Sequence, residues 1–221
     1  MMPERTALIA GATGLVGSHC LRLLLQDSSF TQVIALTRRP LPLSHPRLDA
    51  RLIDFDKLDE ALEGVQAESV FCCLGTTIKK AGSQAAFRRV DHDYPLLLAE
   101  WAARSGAQQY LLVSAMGADA ESRVFYNRVK GETEKAIAAQ AIPSITFFRP
   151  SLLLGERSER RWAEEAGALL FHLLPFIFRG PLAKYRPNEA EHVAQAMLAH
   201  AREAKAGLHI VPAGEMHGED H

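Results

Sequence analysis

The stretch "GATGLVG", residues 11–17, decides the fold. It follows the apolar run "TALIA" and leads into residues 15–26. There Leu15, Val16, Cys20, Leu21, Leu23, Leu24 and Leu25 make a wide apolar helical face. Three glycines spaced three apart, between a strand and a helix of a βαβ unit, predict a cradle for a dinucleotide pyrophosphate. Gly11 permits the tight turn, Gly14 lets the backbone approach the phosphates, and Gly17 lets helix and sheet pack closely. Ala12, Thr13, Leu15 and Val16 complete the loop, where the helix N-terminus offers N–H groups and the positive end of its dipole. The alternative reading is a plain strand-to-helix turn.

Outward from this loop, short apolar runs alternate with helical patterns. Strands are expected at residues 6–11, 32–37, 50–55, 69–75, 109–115, 144–150 and 208–212. Helices are expected at 15–26, 57–64, 85–104 (bent where Pro95 enters), 123–141 and 189–204. The run "SVFCCLG" is apolar on both faces, as a strand inside a parallel sheet is. This alternation predicts an α/β fold: a doubly wound, mainly parallel sheet of about seven strands, helices on both faces. We expect a single domain, with its core over 5–150 and 188–212, a short lid or substrate segment over 151–187, and a frayed tail at 213–221.

Bulk properties narrow the function. The 221 residues carry 48% hydrophobic and 23% charged side chains, ordinary for a soluble globular chain. A net charge of −1 gives no footprint for nucleic acid or a polybasic membrane face. Three cysteines, two of them adjacent (Cys72, Cys73), make neither a disulfide framework nor a zinc pattern, so no metal is expected and a reducing cytoplasm is the expected location. The N-terminus lacks a secretory pattern, and no apolar run reaches the roughly 18 residues of a membrane span.

The second strand indicates the cofactor. NAD sites place a carboxylate near this strand end, to bind the ribose 2′-hydroxyl. Here the strand ends in Thr37, Arg38 and Arg39. Two guanidiniums suit a 2′-phosphate, so NADP(H) is preferred to NAD(H); the alternative is a solvated surface pair.

Catalytic candidates lie downstream. Ser114 ends the fifth strand, and Tyr126 and Lys130 follow at i, i+4 spacing on one face of the next helix. A phenol near pKa ~10 exchanges protons poorly at neutral pH, and a neighbouring ammonium favours its phenolate. Tyr126 would protonate a carbonyl oxygen during hydride delivery, while Ser114 holds that oxygen by a hydrogen bond.

The order "GATGLVG", "TRRP", "CCLGTT", "VDHDYP", "LLVSAMGAD", "YNRVKGETE" and "FFRPSLLLGER" resembles the atypical short-chain dehydrogenase/reductases, and most nearly their small Tat-interacting-protein-like branch. The resemblance runs over about residues 5–212. It implies an NAD(P)-binding Rossmann fold, NADPH as cofactor, and Ser114, Tyr126 and Lys130 as the catalytic set. It also implies Leu74, Gly75, Thr76 and Thr77 beside the cofactor, and Arg149, Pro150 and Ser151 at its nicotinamide end. Asp54, next to Phe55, is placed like the residue that contacts adenine in that family; it also suits a helix cap. One departure stands out. Related reductases hold a proton-relay water with an asparagine, and the nearest equivalent here is Asp91.

Little chain follows Pro150, which favours a small or apolar carbonyl substrate over a nucleotide sugar. The segment 166–178, "AGALLFHLLPFIF", reads as lid or core packing, a contact with a protein partner or a second copy of the chain, or a membrane-surface element. The leading reading is an NADPH-dependent carbonyl reductase. The alternatives are an NADPH-binding regulatory protein with little catalysis, and an epimerase- or dehydratase-like isomerase.

Overall fold

A computed structural model describes residues 5–154 and 188–216. Seven strands form one sheet in the order β3-β2-β1-β4-β5-β6-β9. They are β1 (Thr6–Ala10), β2 (Gln32–Thr37), β3 (Leu48–Leu52), β4 (Ser69–Cys72), β5 (Gln109–Val113), β6 (Ser144–Arg149) and β9 (Gly207–Pro212). Every pairing is parallel. The chain builds outward from β1 to β3, then returns and builds from β4 to β9 on the other side. The reversal lies between β1 and β4, where open α/β sheets hold their ligands.

Helices cover both faces. On one, α1 (Leu15–Gln26) presents Val16, Cys20, Leu21, Leu24 and Leu25 to the sheet. The last described helix, which we call α7 (Ala190–Glu203), packs beside it through Val193, Ala194, Met197 and Ala201. On the other face lie α2 (Leu58–Ala61), α5 (Tyr94–Arg104) and α6 (Phe125–Ala138), over Leu8, Ile34, Val70 and Leu112. Each fully buried leucine or phenylalanine here contributes about 1.5–3 kcal/mol.

The expected helix over 85–104 is three pieces: α4 (Gln84–Arg88), a π-helical turn (Arg89–Asp93) and α5. Pro95 explains the break. It lacks the N–H that would bond to the carbonyl four residues back, which belongs to Asp91. The Thr133 hydroxyl lies 3.0 Å from that carbonyl and 2.7 Å from the Val129 carbonyl, and shares its proton between them.

Three further expectations need correction. The third strand runs over Leu48–Leu52, not 50–55, because its register is set by β2, with Val33 opposite Leu48 and Thr37 opposite Leu52. The following residues leave the sheet, and the Asp54 carboxylate caps a short 3-10 turn (Phe55–Lys57). A small parallel pair, β7 (Leu153–Leu154) with β8 (Asn188–Glu189), was not expected. Nor do residues 213–216 fray. Asn188 is fully buried, and its amide donates to the carbonyls of Ala213 (2.9 Å) and Met216 (3.2 Å). Other element ends differ only at terminal turns. Most of the expected lid, including segment 166–178, lies outside the described residues.

Candidate active site

The glycine loop sits at the reversal point. Gly11 has φ +87°, and a Cβ there would lie 2.5 Å from the Cys73 carbonyl oxygen at the end of β4. At Gly17 a Cβ would lie 2.1 Å from the Gly11 carbonyl oxygen. Sterics therefore require glycine at both positions, and they bring α1, β1 and β4 together. The Gly14 N–H bonds to the Gly11 carbonyl at 2.9 Å and closes the turn. Among the described residues no side chain caps α1, and its first turn carries no acidic residue. Its leading N–H groups and dipole end are thus open to an anion. Ala12 and Val16 are buried in the core, while Gly11, Thr13, Gly14 and Leu15 reach the surface. The cradle fits a pyrophosphate.

Arg38 and Arg39 follow β2, next to the cradle. Both are exposed, and neither has a partner among the described residues. Thr37 is buried and donates to the Arg51 carbonyl at 3.3 Å. Asp54 acts as a cap, accepting the Asp56 N–H at 3.0 Å. Phe55 is buried, its ring 5.4 Å from that of Tyr94.

The catalytic candidates come from β5 and α6. Ser114 is 5% exposed; its N–H donates to the Phe148 carbonyl at 2.7 Å. Its hydroxyl oxygen is buried with no hydrogen-bond partner among the described residues. Leaving such a group unpaired costs about 1–3 kcal/mol. α6 is drawn against the loop that follows Ser114: a Cβ on Gly131 would lie 2.1 Å from the Ala120 nitrogen. The Asp119 N–H also bonds to the Asn127 carbonyl, at 3.1 Å. Tyr126 is half-buried, with its ring 5.6 Å from that of Phe87.

Lys130, one turn on, is buried, and its ammonium lies 2.8 Å from Oδ1 of Asp91. Burial pushes the ammonium down. Asp91, and the Tyr126 phenolate when it forms, more than offset this and hold Lys130 above its usual range. Two of its three N–H donors have no protein acceptor among the described residues.

Asp91 also holds the loop after β4, accepting the Thr76 N–H on Oδ2 at 2.8 Å. Gly75 and Thr77 are exposed, Leu74 is partly so, and the Thr77 hydroxyl caps α3 (Ile78–Ala81). At the end of β6, Arg149 grips Glu134 of α6 with two hydrogen bonds, Nε to Oε1 at 3.0 Å and a terminal nitrogen to Oε2 at 2.5 Å. The Pro150 carbonyl accepts the Met116 N–H at 2.8 Å, and Ser151 donates its N–H to the Asn188 side chain at 2.9 Å. Nearby thiols are poor nucleophiles: burial pushes Cys72 up to about 11, and a hydrogen bond with Cys20 together with burial raises Cys73.

Three residues of this region escape sequence reasoning: Asp91 as partner of Lys130, Glu134 as partner of Arg149, and Asn188 as anchor of Ser151. For the first the sequence carried a signal, since Asp91 stands as the nearest equivalent of the asparagine that the resemblance leads one to expect. The other two left none.

A model of the NAD dependent epimerase/dehydratase family matches residues 7–218. Protein HTATIP2 of Rattus norvegicus is 37% identical over 178 residues, covering 79% of this chain and 73% of that protein. Protein FMP52, mitochondrial, of Coccidioides immitis (strain RS) is 33% identical over 215 residues, covering 91% of this chain and 87% of that protein. Among solved structures, an oxidoreductase of the short-chain dehydrogenase/reductase family from Burkholderia thailandensis superposes with a TM-score of 0.71 at 19% identity, covering 97% of this chain and 94% of that one. That likeness is one of fold. The expected cytoplasmic location is overturned by the fungal relative, which is named a mitochondrial protein. Cysteine usage reports a reducing environment and does not tell one reducing compartment from another. Among the described residues no helix is long and apolar enough to cross a membrane.

Proposed function

The chain belongs to the NAD dependent epimerase/dehydratase family, whose fold is a Rossmann-type NAD(P)-binding sheet, and we propose that it is an NADPH-dependent reductase of a small or apolar carbonyl compound. The observation that carries this reading is the buried Ser114 hydroxyl, without a hydrogen-bond partner among the described residues, at the start of the loop against which α6, bearing Tyr126 and Lys130, is drawn. A buried polar atom left open at a ligand edge is where a substrate oxygen gains most from a hydrogen bond.

In this reading the loop of residues 11–17 binds the pyrophosphate through its backbone. Arg38 and Arg39 grip the 2′-phosphate. The two unengaged N–H groups of Lys130 meet the ribose hydroxyls. NADPH, when bound, supplies the hydride. Ser114 donates its hydrogen bond to the carbonyl oxygen, and Tyr126 gives its phenolic proton to that oxygen as the hydride arrives. Lys130 stabilises the phenolate that remains. Phe87, 5.6 Å from the Tyr126 ring, makes one side of its surroundings apolar.

NADPH consumption against a panel of aldehydes, ketones and quinones tests the reading. Tyr126→Phe is expected to slow turnover by about 100-fold or more, with NADPH affinity held within about twofold. A mutant matching the wild type overturns the acid role. NADPH binding with no turnover of any substrate favours the regulatory alternative.

A further inference from the structure

We propose that Asp91 is a positioning residue, whose single carboxylate fixes the Lys130 ammonium and the Thr76 loop in the relative place from which both meet a bound nicotinamide dinucleotide. The proposal rests on the reading of Lys130 and the β4 loop as cofactor contacts.

Three contacts converge on this residue. Oδ1 takes the Lys130 ammonium and Oδ2 takes the Thr76 N–H, each at 2.8 Å. The backbone carbonyl lies 3.0 Å from the Thr133 hydroxyl, whose one proton it shares with the Val129 carbonyl at 2.7 Å. Asp91 is therefore tied twice to α6 and once to the loop over the sheet edge. It is 1% exposed, and a carboxylate buried that deeply persists only when paired and hydrogen-bonded. The π-helical turn supplies the orientation, and Pro95 offers the Asp91 carbonyl no N–H. A direct 2.8 Å contact leaves no room for water between Asp91 and Lys130. The arrangement is thus an ion pair and not a water-mediated contact.

The charge matters as well as the shape. The groups that act on Lys130 are Asp91 from the π-helical turn, Tyr126 from its own helix and Cys72 from β4. Cys72 stays a neutral thiol at ordinary pH. Removing the Asp91 charge leaves burial to dominate, so the ammonium loses its proton at lower pH.

The test is fluorescence titration of the full chain with NADPH, from about pH 6 to about pH 10, for wild type, Asp91→Asn and Asp91→Glu. Circular dichroism checks folding. Wild-type affinity should stay level through the range. Asp91→Asn should bind about tenfold more weakly at neutral pH and lose further affinity within the range as pH rises. Asp91→Glu keeps the charge on a longer arm, so it should restore the level pH profile but not the full affinity. Should the asparagine variant fail to fold, the glutamate variant carries the test, and wild-type affinity in it overturns the proposal. So does an asparagine variant that superimposes on wild type, or one weakened equally at every pH. A wild type that does not bind NADPH at all is a different result: it overturns the proposed function itself.

Discussion

The two edges of the sheet differ in how many of their polar groups are paired. At the edge where strands begin, donors and acceptors close on one another. The Gln109 amide bonds to the Ser69 hydroxyl at 2.8 Å and the Ala201 carbonyl at 3.0 Å, and Arg5 reaches the same carbonyl at 2.6 Å. Arg47 covers the carbonyls of Leu25, Asp27 and Phe30 at the end of α1. Asp27 accepts from Arg202 and from the Ser29 N–H, each at 2.8 Å. The Ser29 hydroxyl is the exception among the described residues. At the edge where strands end, Arg149 and the Thr76 N–H are paired, but several donors have no partner among the described residues: the uncapped α1, Arg38, Arg39, two N–H groups of Lys130 and the Ser114 hydroxyl. One edge closes its polar groups on one another, and the other leaves open those that the proposed function assigns to a ligand.

Gly17→Ala attacks that division most strongly. Its Cβ would overlap the Gly11 carbonyl oxygen, so both the loop and its contact with β4 must shift. We expect a loss of about 3 kcal/mol or more in urea unfolding, and no saturable NADPH binding. Normal affinity in the mutant would mean that the cradle is not defined by this contact. The Arg38→Ala/Arg39→Ala pair should act on binding alone. NADPH affinity should fall at least about tenfold in titration, while NADH affinity and melting temperature hold. Equal losses for the two cofactors would remove the 2′-phosphate assignment.

Asp27→Asn probes the closed edge, with a smaller effect. Burial works to raise the Asp27 carboxyl, but the Ser29 N–H and Arg202 outweigh it and hold the group below its usual range. Its contribution is therefore present above the ordinary carboxylate value of ~3.9 and is lost as pH falls through the lower folded-state value. The partner Arg202 is largely exposed, so the contribution is about 1 kcal/mol or less. Melting curves across pH should show the mutant less stable at neutrality, with the gap closing in acid. NADPH affinity should not change.

The same contrast explains what the sequence reveals. Strand alternation, the glycine cradle and the Tyr126–Lys130 spacing are local patterns, governed by side chains a few residues apart, and they read directly. The partners of Lys130 and Arg149 are not local. Asp91 and Glu134 come from other elements or other turns, and only the packing of α6 against the π-helical turn and β6 brings them into place. The shift of β3 has a similar origin, because an edge strand takes its register from its one neighbour. Asn188 shows the limit: a single amide in an unremarkable stretch organises Ser151 and the end of the chain.

The π-helical turn has a consequence for how this chain tolerates change. Each residue in an α-helix advances the direction of its side chain by about 100°. The wide turn at Arg89–Asp93 works as a phase slip between α4, whose Phe87 lies beside the Phe125 and Tyr126 rings of α6, and α5, whose Leu98 and Ala102 face the sheet. The two helices keep their separate facings only while the number of residues between them stays the same. The geometry around Lys130 is thus written partly in chain length. Exposed side chains in this stretch can vary, but gaining or losing one residue would turn one helix against the other.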